Sequence, residues 1–248
     1  DARGLSWISI TDHDTDDALP EALAAAQPLG LELVPWVELS SDQNGKDIHI
    51  LAYCFDLNDS PLIRLLKVMQ EARIERMKKM LVKLDGLGKG GIGLEDVAAL
   101  TRSNSVGRLH LAKLLVERGH VHSLDEAFAK YLGEGGAAYY PKFRQTPVEV
   151  IKLINDSGGV AVMAHPVLTQ RDDLIPAFVK AGLGGIEAYY PNCLMVVVDH
   201  YLELVKKYDL VATGGSDAHG ASKTNTFIGK SYVPYEWVEK LKARAHRS

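Results

Sequence analysis

Six side chains able to ligate a divalent metal ion recur along this 248-residue chain, each at the end of a short apolar run or inside one. The run Leu5–Ile10 stops in Thr11-Asp12-His13-Asp14, and Leu31–Val37 stops at Glu38. Asp47–Tyr53 carries His49 within it, Gly159–Ala164 stops at His165-Pro166, and Leu210–Gly214 leads to Asp217-Ala218-His219. Strands of an α/β barrel deliver catalytic groups from their C-terminal ends, so this recurring pattern points to a site built from successive strand ends. His13, Glu38, His49, His165, Asp217 and His219 make a mixed nitrogen and oxygen set that suits zinc, manganese or iron, with no thiolate in it. A carboxylate such as Glu38 can bridge two ions. Two ions about 3.5–4 Å apart can clamp a phosphoryl group and bring the pKa of a water down towards about 7. Asp12 and Asp14 flank His13 and are the candidates for orienting it or the attacking water.

Each motif alone has a plainer explanation. A single strand histidine is more often packing, His-Pro makes an ordinary turn, and Ser216-Asp217 or Thr11-Asp12 suits an Asx turn or a helix cap. Their occurrence together at successive strand ends decides for metal. No Ser-His-Asp order, nucleophile elbow or glycine-rich phosphate loop competes with that reading.

The elements that must position these groups follow from periodicity. The Ala- and Leu-rich stretch after Asp16 and Asp17 predicts a helix to about Gln27, ended by Pro28 and Gly30, with a strand over Leu31–Val37 next. A helix followed by a strand at this spacing favours a mostly parallel sheet. Asn44-Gly45 predicts a hairpin turn into the Asp47–Tyr53 strand. Leu62, Leu65, Leu66, Met69, Ile74, Met77, Leu81 and Leu84 keep helical spacing, so Pro61–Leu84 reads as one long amphipathic helix. After the glycine-rich 86–93 break, helices are expected over Leu94–Thr101, Gly107–Arg118 and Ser123–Tyr131, the last opened by Ser123 and Glu126 at capping-box spacing. Thr146-Pro147-Val148-Glu149 opens another helix. From there strands and helices alternate, with strands over Val160–His165, Ile186–Tyr190 and Leu210–Gly214. Residues 60–145 therefore form a helical insertion between two barrel parts, 1–59 and 146–248. The chain runs almost at once into a core strand, so an earlier strand is expected upstream of Asp1.

Composition bounds the function. A net charge of -4 disfavours a broad nucleic-acid surface, duplex DNA included. Two cysteines, Cys54 and Cys193, in unrelated segments suggest buried free thiols and a reducing, cytoplasmic setting rather than disulfides. No apolar run approaches the ~20 residues that a membrane span requires. Anion recognition has four candidates. Arg73 and Arg76 are i,i+3 neighbours on the long helix, where they either address one anion or form part of a solvated face beside Lys78 and Lys79. Arg108 stands at a helix start, where backbone N–H groups favour anions, and Lys142 lies in the connection back towards the barrel. His110 is open between facing a site and packing in its helix. His120, His122, His200 and His246 are assigned to surface or structural places, and Trp7, Trp36, Met69, Met77 and Met80 to packing.

Taken together, Thr11-Asp12-His13-Asp14, Glu38 followed by His49, Gly107-Arg108, Ala164-His165-Pro166 and the segment from Gly214 to Gly220 resemble the PHP (polymerase and histidinol phosphatase) family over nearly the whole chain. The resemblance is strongest to its small metal-dependent phosphoesterases, which act on nucleoside phosphates and the 5′ ends of short RNA. It implies an α/β fold, a distorted (β/α)7 barrel with 60–145 as a substrate cap, and two to three divalent ions (manganese, zinc or iron). It further implies His13, Glu38, His49, His165, Asp217 and His219 as ligands with Glu38 bridging, and it favours Arg108 and Lys142 as phosphate contacts. The family's opening His-x-His pair has no counterpart in this sequence, which places that pair and the first strand upstream of Asp1. Glu187-Ala188-Tyr189-Tyr190-Pro191 resembles a family segment that often carries His where Tyr190 stands; a tyrosine there keeps a hydrogen-bond donor. The implied activity is hydrolysis of a phosphate monoester, with hydroxide generated on metal attacking phosphorus in line. The substrate would be a 3′,5′-nucleoside bisphosphate, an AMP-like nucleotide or the 5′ end of a short RNA. Two alternatives stay open: a non-catalytic PHP module without a full metal set, and a barrel metal hydrolase acting on an amide or acetyl group.

Overall fold

The computed structural model describes residues 5–9, 13–15, 17–34, 36–57, 60–101, 106–218, 228–229, 231 and 233–245. It divides into two compact units, one made of residues 1–64 and 144–248, the other of Leu65–Phe143.

The first unit is built on strands. β1 (Trp7–Ile8) pairs in parallel with β2 (Glu32–Leu33), the two separated by helix α1 (Leu19–Ala26). β3 (Trp36–Gln43) and β4 (Lys46–Tyr53) form the expected hairpin around Asn44-Gly45. Both turn residues have positive φ, +55° and +85°, as a two-residue turn matching strand twist requires. Asp42 Oδ1 accepts the Gly45 N–H at 2.9 Å and fixes the turn. β4 then pairs antiparallel with β5 (Val160–Met163), which continues in parallel through β6 (Gly185–Tyr189) to β7 (Val211–Gly214).

The five-stranded sheet is therefore mixed: the hairpin and its pairing to β5 are antiparallel, and β5, β6 and β7 run parallel. Nor is it closed: its order is β3-β4-β5-β6-β7, with β3 and β7 at the edges among the described residues. The strand expected over Leu31–Val37 is divided between β2 and β3. Among the described residues, His13, beyond the end of β1, forms a parallel bridge to Glu38 of β3.

β5 is buried along its whole length, as a strand covered on both faces must be. Around it the unit's core collects Trp36, Leu51, Tyr53, Val162 and Val211, with Val238 and Leu241 from the helix Tyr235–Ala245. That helix is also tied to β2, because Tyr235 Oη donates to Glu32 Oε2 at 2.7 Å and Lys242 pairs with the same carboxylate. Helix α6 (Pro147–Asp156) starts in a reciprocal capping box: Thr146 Oγ1 accepts the Glu149 N–H at 3.3 Å, and Glu149 Oε2 accepts the Thr146 N–H at 2.8 Å.

The long helix α2 (Pro61–Gly86) begins in the first unit, where the Leu62 N–H donates to Ser157 Oγ at 3.0 Å, and runs on into the second. The second unit packs its own core from Met77, Met80, Leu84, Val97, Leu111 and Leu115. It also contains α3 (Leu94–Ala99), α4 (Arg108–Glu117) and α5 (Leu124–Ala127). The helix expected over Ser123–Tyr131 stays α-helical only as α5 and widens to a π turn over Phe128–Leu132. Its capping box is rearranged: Ser123 Oγ accepts the Glu126 N–H, but the Glu126 carboxylate turns to the His122 N–H at 2.7 Å. Cys54 and Cys193 are free thiols, partly exposed rather than buried as expected. Among the described residues, no helix is long and apolar enough to cross a membrane.

Candidate metal centre

Strand alternation places the central group. Ser40 lies opposite His49 in the hairpin register, and Glu38 is two residues from Ser40, so Glu38 and His49 project from the same face. The Glu38 carboxylate is buried, and three imidazoles surround it. His49 Nδ1 lies 2.6 Å from Oε1, His165 Nε2 lies 3.2 Å from the same oxygen, and His13 Nδ1 lies 3.8 Å from Oε2. The two nitrogens that share Oε1 are themselves 3.3 Å apart. His165 comes from the end of β5, where the Ala164 N–H still donates to the His49 carbonyl at 3.0 Å. His13 reaches the cluster because its segment bridges β3: the Asp14 N–H donates to the Glu38 carbonyl at 2.9 Å, and Asp14 Oδ1 accepts the Ser40 N–H at 2.8 Å. Asp14 is itself buried with φ at +57°.

The electrostatics follow. Burial pushes the Glu38 carboxyl up, but hydrogen bonds from His165 and His49 and the charges of His13 and His49 outweigh it, holding the group well below the usual carboxylate range. At His165 burial opposes the charged form, yet the Glu38 hydrogen bond and charge, joined by Glu187 and Asp217, leave its pKa raised.

At the end of β6, Tyr190 Oη donates to Asp217 Oδ2 at 2.9 Å, and its ring stands edge-on to His165 at 6.3 Å. Burial, followed by the Asp217 charge, pushes the Tyr190 phenol upward, so it keeps its proton.

Glu187 is a residue the sequence reading did not single out. It is a buried carboxylate in β6 whose Oε2 accepts the His165 N–H at 2.7 Å. Its pKa is raised to about 7, first by burial and then by the Glu38 and Asp217 charges, against the His165 N–H and charge. The one signal in the sequence was a lone carboxylate inside an otherwise uncharged buried strand.

The residues present fit a divalent ion. Ligands held about 2.1 Å from a tetrahedral ion stand about 3.4 Å apart, and the His165 Nε2 separations from Glu38 Oε1 and His49 Nδ1 are 3.2 and 3.3 Å. His13, Glu38 and His49 also offer ligand atoms that all lie within 4.8 Å of one another. Imidazole nitrogens gathered on a carboxylate are a donor set that suits such an ion.

The remaining candidates are placed as follows. Asp12 and His219 lie outside the described residues. Arg73, Arg76, Arg108 and Lys142 all belong to the second unit. Arg76 Nε donates to the Tyr140 carbonyl at 2.8 Å, and Arg108 Nη1 to the Leu132 carbonyl at 3.3 Å with its guanidinium over the Phe128 ring. His110 is engaged at its own helix start, where its Nδ1 accepts the Gly107 N–H at 3.2 Å. Burial, then the charges of Lys113 and Arg73, lower its pKa. His200 pairs with Asp172 on the surface, and His120 contacts the Gly90 carbonyl.

No family model matches the chain. Individual proteins do. A 5′-3′ exoribonuclease of Haemophilus influenzae is 31% identical over 226 residues, which cover 88% of this chain and 81% of that protein. The chain belongs to the PHP family. A 3′,5′-nucleoside bisphosphate phosphatase of Chromobacterium violaceum is 29% identical over 92% of this chain and 82% of its own length. A solved structure from Bifidobacterium adolescentis, assigned to the metal-dependent phosphoesterases, superposes with a TM-score of 0.84 at 29% identity, covering 97% of this chain and 86% of that one. This PHP protein is thus a hydrolase, a metal-dependent phosphoesterase of mixed α/β fold, and the His–Glu cluster is where its divalent metal requirement has a structural counterpart.

Proposed function

We propose that this PHP protein hydrolyses phosphate monoesters of nucleotides: a 3′,5′-nucleoside bisphosphate, an AMP-like nucleotide or the 5′ end of a short RNA. The observation that carries this reading is the Glu38 carboxylate, whose Oε1 faces His49 and His165 while Oε2 faces His13. A carboxylate addressed from both oxygens is suited to span two ion positions, and His13, Glu38, His49, His165, Asp217 and His219 are the proposed ligands of two to three ions. When bound, manganese, zinc or iron would lower the pKa of water towards about 7 and offset charge on the phosphoryl oxygens. The protein's own groups do the rest. The three imidazoles offer ring nitrogens, Tyr190 steadies Asp217 by its hydrogen bond, and Asp14 locks the turn that presents His13. Asp12 and Asp14 are the proposed groups for orienting His13 or the attacking water. The helical unit is given the role of substrate recognition, with Arg73, Arg76, Arg108 and Lys142 as its phosphate-binding cations. The strands are read as parts of a distorted (β/α)7 barrel.

Phosphate release from AMP, a 3′,5′-bisphosphate and a 5′-phosphorylated trinucleotide, measured with and without added manganese, tests the reading. Turnover is expected only with metal, and Glu38→Gln should lose it at least 100-fold. Absence of metal-dependent release from all three substrates would overturn the nucleotide assignment.

A further inference from the structure

β6 contributes none of the proposed ligands, yet its one carboxylate is buried beside them. The parallel ladder between β5 and β6 ends at the pair Met163 and Ile186. Past that point β5 turns away, and His165 sits at φ +26°, ψ +59°, immediately before Pro166 opens the next helix, Pro166–Thr169. A side chain with a Cβ is strained at positive φ, by about 1–3 kcal/mol, and such a conformation persists only where its surroundings over-determine it. Two of the hydrogen bonds around the turn tie its backbone to the neighbouring strands. On the β4 side the Ala164 N–H donates to the His49 carbonyl; on the β6 side the His165 N–H donates to Glu187 Oε2 at 2.7 Å. The second bond stands where the next rung of the ladder would have been. It also gives the His165 amide its acceptor.

The other carboxylate oxygen packs at the opposite neighbour. A Cβ on Gly215, just beyond β7, would come within 3.0 Å of Glu187 Oε1, so the glycine leaves room for the carboxylate. Glu187 is not in the group of residues whose ligand atoms converge within 4.8 Å. We propose that Glu187 is a positioning residue: its carboxylate takes the place of the missing ladder rung and holds the strained turn at His165 that aims the imidazole at Glu38. This rests on reading Glu38 and His165 as metal ligands, and assigns a further residue to that same site.

The test compares Glu187→Gln, Glu187→Ala, His165→Ala and the Glu187→Ala/His165→Ala double variant with the parent protein. Two quantities are read: manganese affinity by titration calorimetry, and hydrogen exchange of the His165 amide in metal-stripped protein. Outer partners of metal ligands are typically worth 10–100-fold in affinity. Glu187→Ala should therefore bind manganese about 10–100-fold more weakly and lose protection of the His165 amide. The Gln variant keeps an acceptor oxygen, so it should stay within about threefold of the parent with the amide still protected. The double variant should be no weaker than His165→Ala alone. Additive losses in the double variant, parent-like affinity in Glu187→Ala, or a Gln variant as weak as the Ala variant would each overturn the positioning role while leaving His165 a ligand. Unchanged affinity in His165→Ala would overturn the ligand reading and the positioning role together. Should Glu187→Ala not fold, the Gln variant and the amide exchange decide.

Discussion

The Glu38 carboxylate and the Glu187 carboxylate are both buried, and the fold drives them in opposite directions. Glu38 faces three imidazoles and is held well below its ordinary range, whereas burial raises Glu187 to about 7 against the backbone N–H it accepts. In metal-stripped protein the second shift has a measurable consequence. A carboxyl that titrates near 7 when folded and near 4.5 when unfolded binds its proton preferentially in the folded state. Its contribution to stability is therefore complete below about pH 4.5 and is lost as pH rises through 7. The raised pKa of His165 acts in the same sense, and Glu38, held well below the usual carboxylate range, stays outside this window. Stripped protein should thus lose stability between pH 5 and pH 8, by about 3 kcal/mol from Glu187 alone. Urea unfolding across that range should show the decline, and Glu187→Gln should flatten it; an equal slope in the variant would rule Glu187 out as its source. The ligand candidates were legible because they sit at the ends of apolar runs, where a strand must release its side chains into the site. Glu187 was not, because its partner is a backbone amide 22 positions away, and no spacing rule encodes that. The four cation candidates were found by type, but the Tyr140 and Leu132 carbonyls that engage Arg76 and Arg108 leave no trace in the pattern.

Among the elements, those with strong local chemistry came through the sequence best. The Asn44-Gly45 hairpin and the Thr146–Glu149 capping box form as their residue types require, since each is settled by contacts within four residues. Removing the cap hydroxyl by Thr146→Ala should cost about 1 kcal/mol. Thermal or chemical unfolding would show this as a lower midpoint with manganese affinity unchanged, because α6 supplies none of the proposed ligands. Sheet closure was less legible. β1 and β2 are two residues each, and the hairpin sets β3 and β4 antiparallel. The relation between the edges of a sheet is decided by contacts far apart in the chain, about which periodicity carries no information.

At the scale of the whole molecule, the two units have separate apolar cores. Val162, Trp36 and Leu51 serve the strands, and Leu111, Leu115 and Met80 serve the helices. Leu115 is fully buried in the helical core, so Leu115→Ala should cost about 3 kcal/mol there through lost burial and the cavity left behind. Hydrogen exchange should accelerate across α3 and α4, while protection in β4 and β5 and the manganese content per chain stay at parental values. Loss of metal on this substitution would show that the cores are not energetically separate.

The three imidazoles gathered on one carboxylate also make the site an exchanger of ions for protons. A histidine whose pKa is raised by Glu38 keeps its proton to higher pH in the stripped protein, and that proton must leave before the nitrogen can take a cation. Each proton displaced makes affinity fall about tenfold per pH unit on the acid side of the titration. Loading should therefore acidify a weakly buffered solution, and mild acid alone should empty the site without a chelator.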